Sequence, residues 1–98
     1  MKILNEESDS KGRLVAREGD VEMGEMTYSL ANDGQLWIVD HTGVNEGFEG
    51  KGVGKALFEE LVETLRATDK KVMPLCPFAR AMFEKSTDKW DVLRHGSL

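Results

Sequence analysis

The chain has 98 residues, 40% hydrophobic and 32% charged, with a formal net charge of −5. That length suits one domain (1–98) near the lower limit for a self-sufficient core, and the composition excludes a disordered chain. The acidic balance argues against nucleic acid or an anionic membrane as a partner, and no apolar run approaches the roughly 18 residues a membrane span needs. No secretory pattern follows Met1, so a cytoplasmic location is expected. Cys76 is the single cysteine, which rules out an internal disulfide, and with His41 and His95 as the only histidines no metal site is expected.

In chain order, the polar segment Asn5–Gly12 reads as a turn, and Arg13–Glu18 as a short strand. After a turn at Glu18–Asp20, the stretch from Val21 to Ala31 alternates loosely. Its phase slips around Gly24, which predicts a bulge there. Asn32-Asp33-Gly34 is a hairpin signal, because these residue types tolerate positive φ. The answering strand, Gln35–Thr42, carries a continuous apolar run from Leu36 to Val39 and so suits a central position. A helix follows from about Val53 to Ala67, with Val53, Leu57, Leu61 and Leu65 on one face. Lys71–Pro77 predicts another strand, and Pro77 opens a second helix at its first position. The end of the chain is expected to be weakly structured, docked through Trp90 and Leu93. The resulting fold is α+β: an antiparallel β-meander, then a β-α-β unit with a right-handed crossover and parallel strands, then a C-terminal helix.

Between the central strand and the first helix, Gly50, Gly52 and Gly54 occupy alternate positions, with Lys51 and Lys55 among them. Free N–H groups at a helix N-terminus favour a bound anion, and glycine lets it approach the backbone closely. Each lysine there opposes the helix dipole at a cost of roughly 0.3–1 kcal/mol, a penalty that bound phosphate would reverse. The spacing fits neither a Walker A loop nor a Rossmann fingerprint. Taken alone, the glycines are as compatible with a flexible loop that simply starts a helix tightly as with an anion site.

The segment Glu49–Leu57, EGKGVGKAL, resembles the acyl-CoA signature R/Q-x-x-G-x-G/A of the GNAT acetyltransferase superfamily. Together with HTGV (His41–Val44) and PLCPFA (Pro74–Ala79), it is similar to the small single-domain GNAT-like N-acetyltransferases. The resemblance implies a GNAT-like fold in which the two parallel strands splay apart to admit the pantetheine arm. It also implies acetyl-CoA as acyl donor, cradled by Gly50, Lys51, Gly52, Val53, Gly54 and Lys55, with Val44 completing the cofactor-binding set. Glu49 departs from the signature's Arg or Gln, and a carboxylate there suits a pyrophosphate only if it points away or pairs with a lysine.

Cys76 and His41 lie at the C-terminal ends of the two strands expected to be neighbours, so they are candidates to converge on the donor thioester. Cys76 at a helix N-cap sits where thiolate is favoured. It could carry an acetyl-Cys76 intermediate, with His41 taking a proton from the thiol or from an incoming amine. Direct transfer would leave the cysteine a bystander. The acceptor is an amine, on a small molecule or a protein lysine. Two activities are in play: an acetyltransferase, favoured by Cys76 and His41 occurring together, and a non-catalytic acyl-CoA-binding or interaction module, favoured by the short chain and Glu49. No apolar stripe beyond the core declares an assembly, so a monomer or weak dimer is expected. Trp37 and the methionines Met23, Met26, Met73 and Met82 read as core, as does Tyr28.

Overall fold

Alternating strands, turn residues and two amphipathic stripes assemble into a single mixed sheet carrying two helices. The computed structural model describes residues 1–98. Strands β1 (Lys2–Ser8), β2 (Lys11–Glu18), β3 (Val21–Ala31) and β4 (Leu36–Val44) precede helix α1 (Val53–Thr68). Strand β5 (Lys71–Pro74), helix α2 (Pro77–Lys85) and a short 3₁₀ helix (Thr87–Val92) follow. The sheet order is β1-β2-β3-β4-β5, antiparallel except for the parallel β4–β5 pair. The expected α+β order of meander, helix, strand and helix is therefore observed, with β4 central between β3 and β5.

Strand β1 is the main element absent from the sequence expectations. As an edge strand it pairs on one side only, so it lacks the two-faced apolar signal of β4. Its inward residues are largely polar: Ile3 packs on the core, whereas Asn5 and Glu7 reach the Tyr28 hydroxyl.

Two bulges set the sheet's faces. In the β2–β3 pair, Ala16 opposes Gly24 and Arg17 opposes Glu22, so the extra residue is Met23, beside the predicted Gly24. In the β3–β4 pair, Tyr28 opposes Val39 and Thr27 opposes His41, which leaves Asp40 as the extra residue. Side chains alternate across a strand, so one inserted residue reverses the facing of everything beyond it. Trp37 and Val39 face the core, and past Asp40 it is Thr42, opposite Met26, that shares their face. His41 is turned to the other side.

The core is one cluster that joins Leu14, Ala16, Met26, Tyr28, Trp37 and Val39 to the α1 stripe and to Ala79, Phe83 and Val92. The Tyr28 and Trp37 rings stack with centroids 3.8 Å apart, and Phe58 of α1 meets Phe83 of α2 edge-on at 4.8 Å. Each fully buried large side chain contributes about 1.5–3 kcal/mol. The opposite sheet face, bearing Lys11, Arg13, Thr27, Ser29 and Asp40, takes no part in that cluster and borders an open depression of about 610 Å³. The chain's end is more ordered than expected. Val92 is buried, Leu93 bridges to Val72, and Trp90 is half-exposed with its Nε1–H donating to Phe83 O at 2.7 Å. No helix is long and apolar enough to cross a membrane.

Candidate active site

The loop from β4 into α1 is built around residues that leave backbone amides free. Gly50 and Gly52 have φ of 76° and 78°, a left-handed conformation that a side chain would strain. Gly52 is the N-cap of α1 and brings no side chain to bond the first turn. The first amide of the region to find a partner is that of Ala56, which donates to Gly52 O at 3.0 Å. From Glu49 through Lys55 no backbone N–H donates within the chain. Lys51 and Lys55 are exposed and join none of the chain's ion pairs. Glu49 is turned back on its own loop, its Oε2 accepting the Gly47 N–H at 2.9 Å. That bond engages the carboxylate with a residue that precedes it in the loop, not with the free amides that follow.

Gly54 has a different task. A Cβ built there would lie 2.8 Å from Cζ of Phe78, so the bare backbone admits the α2 ring against the first turn of α1. Val53 is buried in the core, and Val44 is half-buried against it at the end of β4. Phe78 lies within PLCPFA, but its contact with Gly54 follows from helix packing and has no mark in the sequence pattern.

The two parallel strands part company after four paired positions. The last is Val39 with Pro74, while β4 continues to Val44. At the fork, Val39 O accepts two amides, from Leu75 at 2.9 Å and from Cys76 at 3.0 Å, which swings the chain away from β4 into α2. Cys76 is the N-cap of α2 with Pro77 next, as expected, and the residue is 3% exposed.

The thiol does not meet His41. Cys76 Sγ–H donates to Thr42 Oγ1 at 3.3 Å. His41 is exposed and lies over Gly43, where a Cβ would be 2.9 Å from its Nε2. The fork thus brings Cys76 together with Thr42 and leaves His41 on the opposite face of β4. Thr42 lies within HTGV, but the one-residue bulge that aims it at Cys76 has no sequence signature.

On the open sheet face, Arg13 donates to Glu6, Glu22 and Glu25 at 3.0, 3.0 and 2.9 Å. The bonds to Glu25 and Glu22 raise its pKa further above its already high value, so it stays charged. Asp40 is held by the Thr27 and Ser29 hydroxyls.

The family model described as GCN5-related N-acetyl-transferase matches residues 13–93. The solution structure of a GCN5-like protein from Staphylococcus aureus is 32% identical, with a TM-score of 0.63 over 95% of this chain and 92% of that one. A ribosomal-protein-alanine N-acetyltransferase from Brucella melitensis biovar Abortus 2308 shares the fold at 24% identity and a TM-score of 0.66. The match covers 80% of this chain but only 62% of that enzyme's length. An aminoglycoside acetyltransferase from an uncultured soil metagenomic sample shares the fold at 22% identity and a TM-score of 0.60, over 81% of this chain and 59% of that one. None of the curated proteins matches the sequence significantly.

Proposed function

Since the chain belongs to the GCN5-related N-acetyltransferases, we propose that it moves an acetyl group from acetyl-CoA to an amine acceptor. The observation that carries this reading is the run of unpartnered amides from Glu49 to Lys55 at a helix start held open by left-handed glycines. Gly50, Lys51, Gly52, Val53, Gly54 and Lys55 would hold the pyrophosphate through those amides, with the two lysines neutralising its charge. Val44 would line the donor's path at the end of β4. Bound acetyl-CoA supplies the acetyl group as a thioester.

The finer proposal is that Cys76 takes up that group. Its sulfur forms a bond to the acetyl carbon as the bond to the CoA sulfur breaks, and the thiol proton leaves with the coenzyme. One thioester is exchanged for another, so the step is close to isoenergetic. A neutral amine then attacks acetyl-Cys76, the C–S bond breaks, and Cys76 regains its proton. That proton comes from the amine itself; His41, exposed on the opposite face of β4, takes no part in this step. The acceptor is a small-molecule amine or a protein lysine; the named relatives are a ribosomal-protein-alanine N-acetyltransferase and an aminoglycoside acetyltransferase.

Calorimetric titration with CoA, acetyl-CoA and dephospho-CoA tests the donor site. Saturable binding is expected, weakened about tenfold in Gly52→Ala, because a β-carbon in that left-handed position costs roughly 1–2 kcal/mol. No saturation at millimolar CoA, for a folded sample, overturns the proposal. Intact mass after incubation with acetyl-CoA tests the finer step: one added acetyl group is expected, absent in Cys76→Ser. Binding without transfer to any amine would return the chain to a CoA-binding module.

A further inference from the structure

The Asp40 bulge that turns His41 away makes Thr42 the sole hydrogen-bond partner of the Cys76 thiol. We propose that Thr42 is the positioning residue for the Cys76 sulfur: its hydroxyl orients the thiol at the fork and supplies the hydrogen bond that a thiolate there requires. The proposal rests on Cys76 being the acyl-accepting group.

The geometry is imposed by the backbone. Val39 O ties down both Leu75 N–H and Cys76 N–H, so the cysteine cannot drift from β4 at the point where the strands part. Across the gap, Thr42 is held opposite Met26 in the β3–β4 ladder, and its β-branched side chain has few rotamers. The Sγ–Oγ1 contact of 3.3 Å therefore joins two anchored elements.

The hydroxyl has capacity to spare. Thr42 accepts from the thiol, but its own O–H donates to no atom of the protein. When the sulfur loses its proton, that O–H can rotate and donate to it. A nearly buried thiolate has little access to water, and an unsatisfied buried charge is costly. The start of α2 offers fewer donors than most helices. Pro77 at the first position has no N–H, and Cys76 O already accepts the Arg80 amide, which leaves the amides of Phe78 and Ala79. The Thr42 hydroxyl is the one side-chain donor that can join them.

The test measures Cys76 alkylation by iodoacetamide at one fixed pH, followed by intact mass, in the wild type and in Thr42→Val, Thr42→Ala and Thr42→Ser. Without the hydroxyl, the valine and alanine variants should react about tenfold more slowly, and serine should restore the rate to within about twofold of wild type. Valine preserves the shape and alanine opens the site, so a common slowing identifies the hydroxyl and not access. Three results would overturn the proposal: a wild-type rate in Thr42→Val, slowing in Thr42→Ser equal to that in Thr42→Val, or acceleration in Thr42→Ala. If the valine variant does not fold, the alanine and serine pair decides. CoA titration of the wild type is run alongside. Its failure would count against the acetyl-transfer proposal, while the order of alkylation rates still decides the role of Thr42.

Discussion

Tyr28 shows what a single residue does in so small a domain. Its ring is buried against Trp37, and its hydroxyl shares its proton between Asn5 Oδ1 at 2.5 Å and Glu7 Oε1 at 2.9 Å. A Cβ at Gly12 would lie 2.5 Å from that hydroxyl, so only glycine lets the phenol cross β2 to reach β1. The polar residues of the edge strand are thus tied to the core through one side chain, beside the packing of Ile3. Burial, reinforced by the Glu7 carboxylate, pushes the phenol's pKa well above its ordinary value of 10.0. The folded state therefore keeps a proton that the unfolded chain releases near pH 10, so stability is full below that pH and is lost as pH rises beyond it. Tyr28→Phe should cost about 1 kcal/mol at neutral pH and flatten the alkaline fall. Urea midpoints near neutrality and at about pH 11 check this. An alkaline limb of unchanged steepness would show that other groups cause it.

At the scale of elements, the junction of the two helices is the most sensitive contact. Gly54 and Phe78 meet where the first turn of α1 passes the first turn of α2, directly beside the proposed donor loop. Gly54→Ala would drive a methyl into the ring at 2.8 Å and should destabilise the fold by about 1–3 kcal/mol. Phe78→Leu in the same chain should recover part of that loss. Thermal unfolding of the two variants decides it, and an unaffected single variant would mean that the helices separate freely. Most elements were legible beforehand: Val53 and its i, i+4 partners predicted α1 to within a residue of its end, and Asn32-Asp33-Gly34 marked a turn in which all three residues have positive φ. Strand β1 was not legible, because an edge strand held through Asn5 and Glu7 has the composition of a loop. The Asp40 bulge was not legible either, and it decides which neighbour Cys76 meets.

At the scale of the whole molecule, a radius of gyration of 12.7 Å is close to the roughly 13 Å expected of a folded domain of about 100 residues. The chain's end covers part of the outer edge of β5, where Arg94 N–H donates to Val72 O. It is fastened to α1 by Arg66, which pairs with both oxygens of Asp91 and donates to Asp88 O. The Arg66 hydrogen bonds hold the Asp91 pKa below its ordinary value of 3.8. A depressed carboxylate contributes stability that is present above the unfolded value and lost as pH falls through the folded one. Asp91→Asn should therefore lower the urea midpoint at neutral pH, with the gap from wild type closing below pH 3.8 and shrinking in high salt. A gap that stays constant with pH would assign the effect to shape, not charge.

What sequence alone determined here is local chemistry: glycines that can adopt left-handed turns, a proline and a cysteine at a helix start, and periodic stripes that choose strand or helix. Those properties belong to residues and their immediate neighbours, so they are written in the order of the letters. Which side chains meet was decided only by the tertiary structure. The single extra residue at Asp40 reverses the facing of β4, aims Thr42 instead of His41 at Cys76, and costs too little locally to leave a mark in composition or period.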